Sequence, residues 1–479
     1  MTTLVATKPQ PPSFLTAAPK PLAWQIPGTA VAVPWSTPVL LRAQAAAIVF
    51  CSVLVFFAGK RVVEDSRAAI KSVGQDCAPS IVAAKSIRAD FADLDANLVN
   101  NFLCAPDSKE GRDAVKNAAA RHQHLSEQLV TAAKNITFDN EERRPITTMI
   151  GDFATYESKM ATARTLELKG DTAGMLATER DAAKLMHEHI IPAADTLDLA
   201  NKTELDRSYN RHQHESTGAV VWLVIVSLLL ATVTIRSQFY LTRKMHRLIN
   251  PGLLAATVIA LGSLVVTVSQ YRRASSQLRL AVDDAFASVR LLWEARAIGF
   301  DANGEESRYL FDTDAAGSHE RDFYAKTSSI ADPPANRKLD DMLTIVNAGA
   351  RLPNEFHGAL ARELGNITFP GEREAAAEAL RTFSVYMDVD TEIRRLEKTG
   401  HHAEAKALCI SEAPGGSNAV FDRFDVALEE TVRINQHYFE NAIKNGLQTL
   451  DRSEWEIGIC VLLVAGCSIA GFWPRLKEY

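Results

Sequence analysis

Six of the twelve histidines fall into pairs spaced two apart: His122/His124, His187/His189 and His212/His214. A helix turns about 200° over that interval, so the two rings of a pair look to opposite sides and no single metal can take both. Zinc pairs on helices sit four apart. His401–His402 stands at a loop start without Cys or acidic side chains at ligand spacing. These histidines read as surface residues, and neither metal nor cofactor is expected. No nucleophile elbow, phosphate loop, CxxC pair or dinucleotide glycine pattern occurs. The glycines of EAPGGSN (412–418) belong to a loop, and Asp283–Asp284 and Glu429–Glu430 read as solvated helix faces. No catalytic residue emerges, and the chain is expected not to be an enzyme.

What remains is recognition chemistry. Arg88, Arg164 and Arg394 are the candidates for contacts with an anionic ligand or partner, with exposed salt bridges an equal alternative. Arg243, Lys244 and Arg247 form a basic cluster suited to anionic lipid or to an acidic cytosolic protein. N-x-T occurs at Asn135, Asn201 and Asn366, two of them within a repeated NITF. There Asn135 and Asn366 are expected to cap or turn an inter-helix loop, and Phe138 and Phe369 to plug the end of a bundle. Cys51, Cys460 and Cys467 lie in apolar runs. Cys77 and Cys104, if carried on one long helix, would stand about 40 Å apart, so no disulfide is expected.

These residues hang on elements set by hydropathy. Four apolar runs, 39–59, 217–235, 252–270 and 457–474, of which only the first holds a charge (Arg42, near its start), are long enough to cross a bilayer core of about 30 Å as helices. Of the 58 acidic residues, 57 lie in 60–217 and 271–456, and residues 1–59 and 236–270 contain none. This excludes a soluble cytosolic enzyme and a wholly disordered chain. The loop 236–251 carries Arg236, Arg243, Lys244 and Arg247 without an acid. The 1–38 tail and the 475–479 tail are also basic on balance. The positive-inside bias places all three in the cytoplasm of a plasma-membrane protein, and both acidic blocks, 60–216 and 271–456, outside it. Lys60–Arg61 and Arg272–Arg273 pull mildly the other way. The 1–38 tail holds eight of the 19 prolines and reads as disordered. No nucleic-acid partner is indicated.

The two acidic blocks are versions of one unit. AKNITFDNEERR (133–144) matches LGNITFPGEREA (364–375), and FATYESKMATARTLELKG (153–170) matches FSVYMDVDTEIRRLEKTG (383–400). The numbering offset slips by one between the two matches, and the second pairs Arg164 with Arg394 and Gly170 with Gly400. Each half is thus a span, an outer domain and a span. The stripe Phe424, Leu428, Val432, Phe439, Ile443, Leu447, Leu450 is helical, and Gly170 and Gly400 sit where helix C-caps belong. Block one divides into helices near 60–104, 107–134, 139–169 and 171–217. Block two repeats this with Pro/Gly-rich interruptions at 331–338 and 411–418. The expected fold is all-α: four transmembrane helices and two duplicated antiparallel four-helix bundles. Gly466 and Ala470 form a small-xxx-small pair for close packing of the fourth span.

The segments ADLDANLVNNFL (92–103), DAAKLMHEHIIPAADTLDLAN (181–201), AVFDRFDVALEETVRINQHYF (419–439) and HRLINPGLLAAT (246–257) resemble actinobacterial four-span membrane proteins of the GlnX type. The outer domains are more distantly similar to four-helix sensor domains of bacterial receptors. The resemblance covers the chain from residue 39 and implies signal transduction in amino-acid sensing. It implies an extracytoplasmic amino-acid-binding lipoprotein (GlnH type) as one partner and a cytosolic Ser/Thr kinase (PknG type) as another, reporting aspartate or glutamate. A structural or accessory subunit of an envelope or transporter complex is the alternative. Oligomeric state is left open.

Overall fold

A computed structural model describes residues 36–105, 108–134, 136, 140–245 and 249–477. The Pro-rich tail up to residue 35, Asn135, Phe138 and Arg247 lie outside the described residues. The described chain is helical, with a lone antiparallel bridge between Asp332 and His357. In order the helices are α1 (Thr37–Leu103), α2 (Lys109–Lys134), α3 (Asn140–Leu168), α4 (Thr172–Lys244), α5 (Pro251–Phe311), α6 (Ala316–Ile330), α7 (Leu339–Asn347), α8 (Ala359–Gly365), α9 (Glu372–Lys398), α10 (His402–Cys409) and α11 (Ser417–Leu476).

Four of these, α1, α4, α5 and α11, are long and apolar enough to cross a membrane, and each runs on far beyond its apolar stretch. The 73 residues of α4 reach about 110 Å. The four spans form a square in which α1 and α5 each touch both α4 and α11. Leu41, Ile48, Val55, Leu230, Leu253 and Val464 fill its middle, while Phe50, Phe57, Trp222, Leu462 and Trp455 point outward. Gly252 and Gly471 make the closest approach: a Cβ on Gly252 would meet the Cys467 carbonyl oxygen at 2.6 Å and the Gly471 Cα at 2.9 Å. Gly466, expected to serve that purpose, faces open space on the other side of α11. Most of the segment read as the 236–251 loop is helix, because RSQFYLTRKM contains no Pro or Gly to stop α4 before Met245. Asn250 then caps α5 through the Gly252 and Leu253 amides, and Pro251 follows at the first helical position.

Above the spans the same four helices continue as a stalk. At its top each pair opens into a bundle: α1–α4 for the first half, and α5 with α6–α11 for the second. The four-helix plan holds in the first half as expected. In the second, Pro333–Pro334 and the 348–358 turn cut the helix opposite α2 into α6, α7 and α8, and the 410–416 turn separates α10 from α11. Gly170 (φ +79°) and Gly400 (φ +83°) end α3 and α9 identically. The Asp171 amide donates to the Leu166 carbonyl, and at the matching place in the second half the His401 amide donates to the Leu396 carbonyl.

Three of the long helices carry a π-turn: Ser72–Cys77 in α1, Met186–Ile190 in α4 and Leu280–Phe286 in α5. Two have a proline just beyond, Pro79 and Pro192. Proline offers no N–H to the carbonyl one turn back, Gln75 or Glu188, and the wider turn absorbs the broken ladder. The α1 and α5 π-turns begin at Ser72 and Leu280, corresponding places in the two halves, both where stalk becomes bundle. In α5, Asn366 of the second NITF donates its amide to the Asp284 carbonyl and the Ser288 hydroxyl, each at 3.1 Å. This asparagine therefore serves the π-turn of a neighbouring helix rather than its own loop. Phe369 is buried at the same level, stacked on Tyr438 at 4.3 Å.

Candidate functional site

The two bundles meet along α1 and α5, which rise side by side from the π-turns to the tip. The segment ADFADLDANLVNN of α1 has carboxylates and amides on every face, and Asp90, Asp93, Asp95, Asn100 and Asn101 are all buried. A helix can bury that many polar groups only if another polar helix faces it. DANGEESR of α5 does so: Asp301, Asn303, Glu305, Glu306, Ser307 and Arg308 are buried as well.

Arg308 lies at the centre with its side chain 2% exposed. Its guanidinium crosses from α5 into the first bundle and meets both oxygens of Asp95 at 3.0 Å and Glu179 of α4 at 2.8 Å. Tyr156 of α3 donates to Asp95 at 2.8 Å, and His187 stands 3.5 Å from the guanidinium and 3.7 Å from Asp95. Burial raises Glu179 above the usual carboxylate range, although the charge of Arg308 opposes it. Burial likewise pushes His187 below the ordinary histidine value. Next door, burial would raise Glu305. The His319 hydrogen bond at 2.7 Å and the charges of Arg308 and Lys326 outweigh it and hold that carboxyl low. Arg180 closes the rim with a forked pair to Asp312 of the second half, at 2.5 and 2.7 Å.

Lower on the seam the contacts come in related pairs. Arg88 of α1 holds Asp195 of its own bundle at 2.8 Å and Asp301 across the seam at 3.3 Å. Aligning the halves at their π-turns makes Arg296 of α5 the counterpart of Arg88. Arg296 holds Asp425 of its own bundle at 2.5 and 2.8 Å, and by the sequence repeat Asp425 is in turn the counterpart of Asp195. Asp93, the counterpart of Asp301, feels the charge of Arg296 across the seam. Burial pushes its carboxyl to about 7 against Arg121. The π-turn alignment carries Asp95 onto Asn303, and the sequence repeat carries Tyr156, Glu179 and His187 onto Tyr386, Cys409 and Ser417. The partner that crosses over there is not an arginine but Asn100, 3.3 Å from Asn303. In that second setting Glu306 accepts from Ser417 at 2.7 Å, and burial, helped by the charge of Asp390, pushes it up to about 8.

The sequence candidates distribute over this frame without converging. Arg88 is in the seam. Arg164 binds the Asn101 carbonyl at 3.1 Å and the Glu167 carboxylate near the tip. Arg394 is buried, paired with Asp390 at 2.8 Å and enclosed by Tyr309, Phe323 and Tyr324 at 4.5–5.0 Å. All three are thus met by the protein's own carboxylates. Arg243 and Lys244 are exposed at the far end of α4. The histidine pairs do diverge as the spacing requires: His124 turns to Asp90 at 2.8 Å and His122 to Glu157 at 3.2 Å. His187, however, is no surface residue, because it points into the Arg308 cluster. The six cysteines are free thiols. Among the described residues no three His, Cys, Asp or Glu side chains converge as metal ligands. The centre of the cluster belongs to a guanidinium, which makes it an electrostatic latch between halves.

Residues 69–210 match the family described as Actinobacterial sensor domain. The matched stretch begins just before the α1 π-turn and ends in the stalk part of α4, so it is the first bundle with its junction. No curated protein and no solved structure matches the chain. A bundle similar to a sensor domain, carried on four helices of membrane-crossing length, fits an actinobacterial multi-pass membrane sensor.

Proposed function

We propose that the chain is a non-enzymatic transmembrane sensor and signal transducer of the plasma membrane, with both tails cytoplasmic and both bundles outside. The observation that carries this reading is continuity. The helices that build the sensor-like bundle are the helices that cross the apolar layer, so a slide or tilt at the seam moves the spans with it. Ion pairs suit such a seam, since guanidinium–carboxylate forks fix one register and can re-form in another, whereas a greasy contact would be indifferent to small shifts.

The event relayed is the availability of aspartate or glutamate, delivered by a solute-binding lipoprotein docking on the outer bundles. The recipient is a separate cytosolic Ser/Thr kinase. The GlnX-type resemblance supports these partners, and the exposed Arg243 and Lys244 offer the kinase an inner contact next to anionic lipid. The test is to substitute Arg243, Lys244 and Arg247 together by Gln and to follow phosphorylation of kinase substrates in cells given external aspartate. Loss of the response is expected, and an unchanged response refutes the inner contact. Co-purification from native membranes should recover a lipoprotein and a kinase. Recovery with a transporter permease and no kinase would instead favour an accessory subunit.

A further inference from the structure

The first bundle contains a cavity of about 600 Å³ at its membrane-proximal end, between α1, α3 and α4 and beside the end of α2. Its inner wall is made by Ala84, Ile146 and Leu197, all buried, with Ser80, Glu142 and Asn201 beside them and the exposed Gln75 and Thr131 nearer the rim. Asn201 is 3% exposed; its amide nitrogen donates to the Ser80 carbonyl at 3.3 Å, and its carbonyl oxygen has no partner among the described residues. A buried amide oxygen without a donor is destabilising, so this group is placed to accept one from an occupant. At the mouth stand Asp76 and Lys134. With Glu142 the charged lining is two carboxylates against one ammonium.

The corresponding place in the second half is filled by larger, buried side chains. The positions of Ala84 and Ala132 are taken there by Leu292 and Glu363. The Glu363 carboxyl accepts from Asn435 at 3.3 Å and lies beside Ser288, the counterpart of Ser80. Where the second half supplies a larger side chain from its own α8, the first half has alanine.

We infer that this cavity is a ligand site for a small primary ammonium compound with a short apolar body. The ammonium would donate to Asn201 and face the Glu142 and Asp76 carboxylates, and the body would lie on Ala84, Ile146 and Leu197. The volume is within the usual range for small-molecule sites, and half of the lining residues are apolar, which suits a short hydrocarbon body beside a charged head. Gln75 and Asp76 of the lining belong to the α1 π-turn, so an occupant touches the point where bundle becomes stalk. The binding itself does not depend on the transducer reading.

The test uses the full chain in lipid nanodiscs, with n-butylammonium as probe and tetramethylammonium, which has no N–H, as control at matched ionic strength. Butylammonium at about ten times its dissociation constant should raise the melting temperature by roughly 1–2 °C and saturate. Tetramethylammonium should not. Asn201→Leu should abolish the shift. Ala83→Leu, at the half-buried rim, should weaken it at least tenfold in affinity and decides the matter should the first variant fail to fold. No response to butylammonium, an equal response to both cations, or a full shift in Ala83→Leu would overturn the assignment, as would retention of the shift by a folded Asn201→Leu.

Discussion

Replacing Arg308 by Met keeps most of the side-chain volume and removes only the guanidinium. Asp95 and Glu179, with side chains 2% and 1% exposed, then lose contacts at 3.0, 3.0 and 2.8 Å, and His187 at 3.7 Å from Asp95 is a poor substitute because burial disfavours its charged form. Stripping one partner from a buried ion pair costs about 3–5 kcal/mol, most of it the stranded charge. Glu179→Gln alone should cost about 1–3 kcal/mol, because a charge-assisted bond becomes a neutral one. The double variant leaves one fewer stranded carboxylate, so its cost should fall short of the sum by about 1–3 kcal/mol. Equilibrium unfolding of the detergent-solubilised full chain, followed by circular dichroism, measures all four corners of this cycle. Additivity within about 0.5 kcal/mol would refute the reasoning, since it would mean that Arg308 and Glu179 do not act through each other.

Asn366→Ala should cost about 1–2 kcal/mol and speed amide exchange around the α5 π-turn, because the Asp284 carbonyl loses its donor; exchange no faster than in the parent would count against that role. Gly252→Val should destabilise by about 1–3 kcal/mol or more by forcing α5 from α11, whereas Gly466→Val should stay within about 0.5 kcal/mol; comparable melting temperatures for the two would contradict the packing. Glu306 is held protonated by burial, with its carboxyl at about 8 against an ordinary 4.5. Its contribution to stability is therefore fully present below about pH 4.5 and is lost as pH rises through about 8. Melting of the parent should fall over that window and Glu306→Gln should flatten the slope, and parallel profiles would sink the assignment.

The spans, the helix ends and the first bundle were legible because hydropathy, caps and spacing are local signals. Gly170 and Gly400 show this best: one residue type at the end of two charged last turns sufficed. The seam was not legible. Arg308 becomes a latch only because α5 stands against α1, a pairing between helices from opposite halves of the chain. A signal existed nonetheless. The 90–101 run places polar residues on all sides of a helix, which no solvated face requires. The match of Arg88 with Arg296 was hidden, because the repeat offset of 230 pairs Arg88 with Ser318 and only the π-turns bring the two arginines into line. His187 was misjudged for the same reason, since ring direction follows from its spacing to His189 but what it meets does not. The small-residue contact fell at Gly252–Gly471 because it depends on how α11 is rotated, which composition alone leaves free.

The seam joins two helical halves of similar plan that a single polypeptide ties together. Receptors assembled from separate identical subunits respond according to how many copies are present, and their halves must be alike. Here the encounter is unimolecular, so its equilibrium is indifferent to expression level. Each half was also free to diverge: one offers an arginine where the other offers Asn100. The two sides of the seam are therefore chemically unequal, with a defined first and second side.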